Sequence, residues 1–212
     1  MKVKVCGMRE TNNIQALLAV QPDYIGFIFY EKSPRFVGDS LDENLLKSFP
    51  RSTKKVGVFV NATVDTILKN VKRYALDFVQ LHGDETPDFC RSLKFKGVNI
   101  IKAFAVDETF NFNKLNNYKP VCDFFLFDAK GQNRGGNGTT FDWSVLNRYD
   151  NEKPFFLAGG ISADHAKSLQ NLTGLKIHAI DINSQFEIAP ALKDVEKINY
   201  FLQKLNPVEV EV

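Results

Sequence analysis

Phe124-Phe125-Leu126-Phe127-Asp128 places four apolar residues in succession and ends them on a carboxylate. A strand with one wet face alternates apolar and polar residues, whereas a continuous run is buried on both faces, the pattern of a parallel sheet. Seven more short Val/Ile/Phe-rich runs bounded by turn residues share this character: Lys2–Cys6, Tyr24–Tyr30, Lys55–Val60, Phe78–Leu81, Asn99–Ala105, Pro154–Ala158 and Ile177–Ile182. Between them lie segments of helical period. Val64, Ile67, Leu68 and Val71 share one face of Val64–Tyr74, and Ile14, Leu17 and Leu18 one face of Asn12–Val20. Asp42–Phe49, Pro87–Phe95, Asp142–Tyr149, Ala163–Leu172 and Ala191–Leu205 read as further helices, with Asn-rich Phe110–Tyr118 the weakest. Thr86 before Pro87, and Ser162 before Ala163, are start signals.

Strand then helix, eight times in 212 residues, leaves about 26 residues per unit, enough for βα units with tight connections. The expected fold is a single (β/α)8 TIM barrel of the phosphate-binding type; an open doubly wound sheet is the competitor. No linker or composition shift divides the chain, so residues 1–206 are expected to form one domain and 207–212 a flexible C-terminal tail.

Composition narrows the function. At 44% hydrophobic, 25% charged and net charge +2, the chain suits a soluble domain and opposes disorder. It carries no cationic excess for binding nucleic acid, no membrane-length apolar run and no signal-peptide core at its start. Cys6, Cys90 and Cys122 make neither a disulfide framework nor a zinc cage, which points to a reducing cytoplasm.

In such a barrel the chemistry sits where strands end. There the chain offers Cys6, Ser33 with Arg35, Asn61, Gln80 with His82, Lys102, Asp128, Gly159–Gly160, and Asp181 with Ser184. The glycine pair precedes a Ser162-led helix and reads as a backbone phosphate cradle to which Ser184 adds a hydroxyl. Gly135, Gly136 and Gly138 match no nucleotide-binding loop and read as a flap over the site. His82, Asp84 and Glu85 are too few for a metal centre.

Six blocks carry a resemblance: Lys-Val-Cys-Gly-Met at 4–8, Gly-Phe-Ile-Phe-Tyr-Glu-Lys-Ser-Pro-Arg-Phe-Val at 26–37, Val-Gly-Val-Phe-Val-Asn at 56–61, Val-Gln-Leu-His-Gly-Asp-Glu at 79–85, Phe-Asp-Ala with Gly-Gly-Asn-Gly-Thr-Thr-Phe-Asp-Trp within 127–143, and Leu-Ala-Gly-Gly-Ile at 157–161. In this order the chain resembles phosphoribosylanthranilate isomerase. The resemblance implies an Amadori rearrangement of N-(5-phosphoribosyl)anthranilate in tryptophan biosynthesis, with no cofactor and no metal. It implies Cys6 as general base, provided the mouth of the barrel lowers its thiol pKa, and Asp128 as general acid. Arg35 would bind the anthranilate carboxylate, His82 would line the pocket and Asp181 would orient a sugar hydroxyl. A phosphosugar is the expected partner, and the assembly a monomer or homodimer. The chain departs from the family after the eighth strand: Gln185 stands where the family has glycine, and the family's Pro-Gly-Val-Lys-Asp is Pro190-Ala191-Leu192-Lys193-Asp194. That departure keeps a non-catalytic phosphosugar-binding barrel as a rival. A ribulose-phosphate epimerase would want His and Asp metal ligands the chain lacks, and an indole-forming lyase relative would have only Lys102.

Overall fold

The computed structural model describes residues 1–38, 40–129 and 143–207. Eight parallel strands close into a barrel in chain order: β1 Lys2–Val5, β2 Tyr24–Ile28, β3 Lys54–Phe59, β4 Phe78–Leu81, β5 Ile100–Val106, β6 Phe124–Ala129, β7 Phe155–Leu157 and β8 Ile177–Ile182. Closure is direct, because β1 pairs with β2 (Lys4↔Tyr24) and with β8 (Lys4↔Asp181). That double pairing rules out the open sheet.

Outside the barrel pack α1 Thr11–Ala19, α2 Glu43–Lys47, α3 Val64–Tyr74, α4 Pro87–Phe95, α5 Ala166–Gln170 and α6 Val195–Leu205. Alternation along each strand sorts the side chains. Val3, Val5, Phe125, Phe127, Phe155 and Leu157 join the large cluster under the helices, while Leu126, Phe156 and Ala179 join a smaller one inside the barrel. Both faces are apolar, which explains the unbroken apolar runs. Low in the interior, Tyr24, Phe124, Phe156 and His178 lock together, with the Tyr24 hydroxyl 2.6 Å from His178 Nε2 and the Phe124 and His178 rings 4.1 Å apart. This floor leaves the C-terminal ends of the strands as the open end.

The helical layer differs from expectation at four places. Phe110–Tyr118 and Asp142–Tyr149 give 3-10 turns, Phe112–Asn117 and Trp143–Arg148, and Asp142 lies outside the described residues. Asn111 Oδ1 accepts from Asn113 N at 3.0 Å and caps the first of these turns. Ala163–Leu172 splits into the turn Ala163–His165 and α5, because His165 Nδ1 accepts from Ser162 N at 2.9 Å and holds the first turn tight. Ala191–Leu205 begins instead as a hairpin, β9 Glu187–Ala189 with β10 Leu192–Lys193; α6 starts only after Asp194, whose carboxylate caps Lys197 N at 2.9 Å. The flap at Gly135–Gly138 and residues 208–212 of the expected tail lie outside the described residues. No helix among the described residues is long and apolar enough to cross a membrane.

One backbone position carries removable strain. Ala75 ends α3 in the left-handed conformation, φ 49° and ψ 50°, and is exposed. Alanine costs about 1–2 kcal/mol there, while glycine gives back about 0.5–1 kcal/mol through its freer unfolded chain. Ala75→Gly should therefore stabilise by about 0.5–1 kcal/mol and raise Tm by about 2 °C, measured by thermal denaturation. An unchanged or lower Tm overturns this.

Candidate active site

Cys6 continues the β1 ladder, its N–H donating to Ile182 O at 2.9 Å, and alternation turns its side chain into the mouth of the barrel with Lys4. A Cβ added at Gly26 of β2 would stand 2.7 Å from Cys6 Sγ, so glycine there makes room for the thiol. The thiol is only 4% exposed, and burial pushes its pKa up, against the pull of Lys4 and with the push of Asp181. This reverses the expectation that the mouth lowers it: desolvation outweighs the nearby cations.

Lys4 is fully buried, and its Nζ meets both carboxylate oxygens of Asp181 at 2.9 Å. Burial alone would drive the ammonium pKa down, but Asp181 and then Cys6 raise it above the ordinary lysine range, so Lys4 is a cation. Removing one partner of such a pair costs about 3–5 kcal/mol. Asp181, expected to orient a sugar hydroxyl, is thus buried and already engaged, with a pKa raised by desolvation.

On the far side, Asp128 shares the inward face of β6 with Leu126 and is half-exposed. Its Oδ2 lies 3.5 Å from His82 Nε2, and His82 Nδ1 lies 2.8 Å from Gln80 Nε2. Gln80 Oε1 is buried and finds no partner among the described residues.

Arg35 departs most from expectation. Its guanidinium is bound to Glu187 at the start of β9, Nε to Oε1 at 2.8 Å and Nη2 to Oε2 at 2.6 Å. The same carboxylate accepts from Lys193 Nζ at 2.5 Å and Ala191 N at 3.2 Å. Burial would raise the Glu187 pKa, but Arg35 and Lys193 hold it below the usual carboxylate range. Arg35 is therefore pre-oriented at the rim by the hairpin rather than free.

Gly159 and Gly160 follow β7 with φ of 94° and 64°, half-buried and exposed. Ser184 is exposed on a 3-10 turn after β8. Gln185 sits in that turn without a positive φ, so glycine's freedom is not needed there, and its carbonyl accepts from Lys197 Nζ at 2.7 Å. Lys102 does not reach the mouth: it points outward, donating to Leu81 O, Gly83 O and Ala103 O beside Glu85, which removes the lysine an indole-forming lyase would use. Asn61 serves the loop after β4, its Oδ1 accepting from Asp84 N at 2.7 Å. Cys90 and Cys122 are buried in the helix-side core.

The sequence reading missed Lys4, Glu187 and Lys193 as site residues. Lys4 could have been found, since it precedes Cys6 by two on a strand and so shares its face. Glu187 and Lys193 carry no such signal until the hairpin folds.

A family model described as N-(5'phosphoribosyl)anthranilate (PRA) isomerase matches residues 3–204. N-(5'-phosphoribosyl)anthranilate isomerase from Parabacteroides distasonis is 43% identical over 212 residues, covering 100% of this chain and 96% of that protein. The crystal structure of phosphoribosyl anthranilate isomerase from Thermotoga maritima superposes with a TM-score of 0.83 at 29% identity, covering 97% of this chain and 98% of that one. A further isomerase structure, in complex with reduced 1-(o-carboxyphenylamino)-1-deoxyribulose 5-phosphate, gives 0.79 at 27% identity over 97% and 98%. The closed barrel, the thiol and carboxylate at its mouth, and a sequence match running almost end to end agree with one another: this chain belongs to the N-(5'-phosphoribosyl)anthranilate isomerase family.

Proposed function

We propose that this isomerase converts N-(5-phosphoribosyl)anthranilate to its 1-deoxyribulose isomer in tryptophan biosynthesis, with Asp128 as general acid and Cys6 as general base. The supporting observation is the placement of these groups: each faces into the mouth from the end of its own strand, three strands apart round the closed ring. Asp128 gives its proton to the ribose ring oxygen as the C1–O bond breaks and the anthranilate nitrogen forms the C1=N bond of a Schiff base. Cys6 then takes the C2 proton, and the electron pair of that bond neutralises the iminium as an enolamine. Ketonisation moves the C2 hydroxyl proton away and adds one at C1. No cofactor is required, because the anthranilate nitrogen is itself the electron sink.

Around this pair, Arg35 is placed to bind the anthranilate carboxylate with donors left over from Glu187, since a guanidinium carries five. His82 lines the pocket, while Asp181 holds Lys4 rather than a sugar hydroxyl. The amides of Gly159 and Gly160, with the Ser184 hydroxyl, cradle the phosphate. The hollow of about 360 Å³ bounded by Val71, Leu76, Phe78 and Val98 lies at the opposite end of the barrel, where Asp77 is occupied by Lys55 N.

The test is turnover of phosphoribosylanthranilate by the purified protein, followed as loss of anthranilate-type fluorescence. Multiple turnovers without added metal or cofactor are expected. Binding without turnover by the folded protein would instead establish the non-catalytic phosphosugar-binding barrel.

A further inference from the structure

We propose that Lys4 is the positioning residue that prepares Cys6 for proton abstraction: its buried ammonium, anchored on Asp181, stands as counter-ion to the Cys6 thiolate. This rests on the reading of Cys6 as general base. Two residues apart on one strand, Lys4 and Cys6 share a face with Cα atoms about 6.7 Å apart. An ammonium has three donors. Two go to the Asp181 carboxylate at 2.9 Å each, which leaves the third for the thiol two residues along the same face.

Other charges face the thiol, and of the cations Lys4 favours its charged form more than Lys193 does. Lys193 reaches toward it from β10, but its donors go to Asn183 O at 3.3 Å, Asn183 Oδ1 at 2.6 Å and Glu187 Oε1 at 2.5 Å. Arg35, from the loop after β2, turns its guanidinium onto Glu187. Asp181 opposes the thiolate, while Asp128 and His82 stand across the mouth. β2 brings only Gly26 against the sulfur. A base buried this deeply charges only with a cation beside it, and Lys4 is that cation. The exchange is a plain proton transfer: the thiolate takes the C2 proton and becomes a thiol, and Lys4 keeps its own proton throughout.

The test compares wild type with Lys4→Met, with Lys4→Arg, and with the double variant Lys4→Met/Asp181→Asn, which removes both charges together and so leaves no orphaned carboxylate to unfold the barrel. Two readouts are taken: the rate at which iodoacetamide alkylates Cys6 at mildly alkaline pH without substrate, located by peptide mass, and the pH dependence of kcat/KM. Loss of the counter-ion should slow Cys6 alkylation at least about tenfold in Lys4→Met, equivalent to a rise of about one unit in the thiol pKa, and by less in the double variant, where the opposing Asp181 charge is lost with it. The rising limb of kcat/KM in Lys4→Met should move up by the same unit with KM little changed, and Lys4→Arg should retain most of the wild-type behaviour. Alkylation within about twofold of wild type in both charge-removing variants, at unchanged fold by circular dichroism, overturns the proposal. The two readings fail separately. An active Cys6→Ser with slowed alkylation in Lys4→Met would end the base assignment and leave the counter-ion, whereas an inactive Cys6→Ser with unchanged alkylation would do the reverse.

Discussion

Cys6→Ser lowers kcat by about 10²- to 10⁴-fold and leaves KM within a few-fold of wild type, the range for loss of a positioned general base. Serine keeps the size and the place of the side chain, so binding is preserved. What it lacks is an accessible anionic form, since a hydroxyl beside Lys4 is still far too weak an acid to act as a base near neutrality. The wild-type pH profile carries a second sign of the same chemistry. Only the thiolate can accept the C2 proton, and burial holds the thiol pKa above its usual range. Wild-type kcat/KM should therefore climb as pH rises past neutrality, and Cys6→Ser should lose that rise. Cys90→Ser and Cys122→Ser are the controls: both thiols are buried in the helix-side core, so substitution should lower Tm and spare kcat. A Cys6→Ser enzyme within tenfold of wild-type kcat would remove the thiol from the mechanism.

How far these residues are legible without coordinates depends on how locally each is determined. Phe124–Phe127 reads as a buried strand because continuous apolarity is a property of the segment itself, and Asp128 inherits its place from that strand. Cys6 is legible for the same reason. The partner of Arg35 is not, because Glu187 lies 152 positions away and meets it only through a hairpin that residues 187–193 do not announce. Lys4 and Asp181 stand 177 positions apart and become neighbours only when β8 closes onto β1. Short 3-10 turns escaped for a different reason: over six residues the apolar spacing of a 3-10 turn and of an α-helix barely differ. The direction of the Cys6 pKa also needed the fold, since it turns on how much water the barrel excludes.

The rim of the site has a charge balance of its own. Arg35 and Lys193 share the single carboxylate of Glu187, so this group carries one excess positive charge before substrate arrives. On the proposed reading, a substrate carboxylate would complete it without displacing Glu187. The guanidinium is meanwhile held from behind in one orientation, which reduces the ordering cost on binding.

Asp128→Asn is the complementary experiment, with kcat expected to fall by about 10²- to 10³-fold at nearly unchanged KM. The amide is nearly isosteric with the acid and can still accept from His82, but it has no acidic proton for the ribose ring oxygen. Little stability is at stake, because Asp128 is half-exposed and its described partner is His82 at 3.5 Å, so Tm should stay within about 2 °C. Loss of kcat alone does not separate an acid from a residue that merely orients its neighbour. His82 makes that separation possible. If Asp128 worked only by holding the imidazole, removing the imidazole would reproduce the defect; if Asp128 is the proton donor, His82→Gln keeps the donor and loses only a wall of the pocket. His82→Gln is expected to cost about tenfold in kcat/KM, well short of Asp128→Asn. Equal losses in the two variants would transfer the acid role to the Asp128–His82 pair as a unit, and a near-wild-type Asp128→Asn would remove it from β6 altogether.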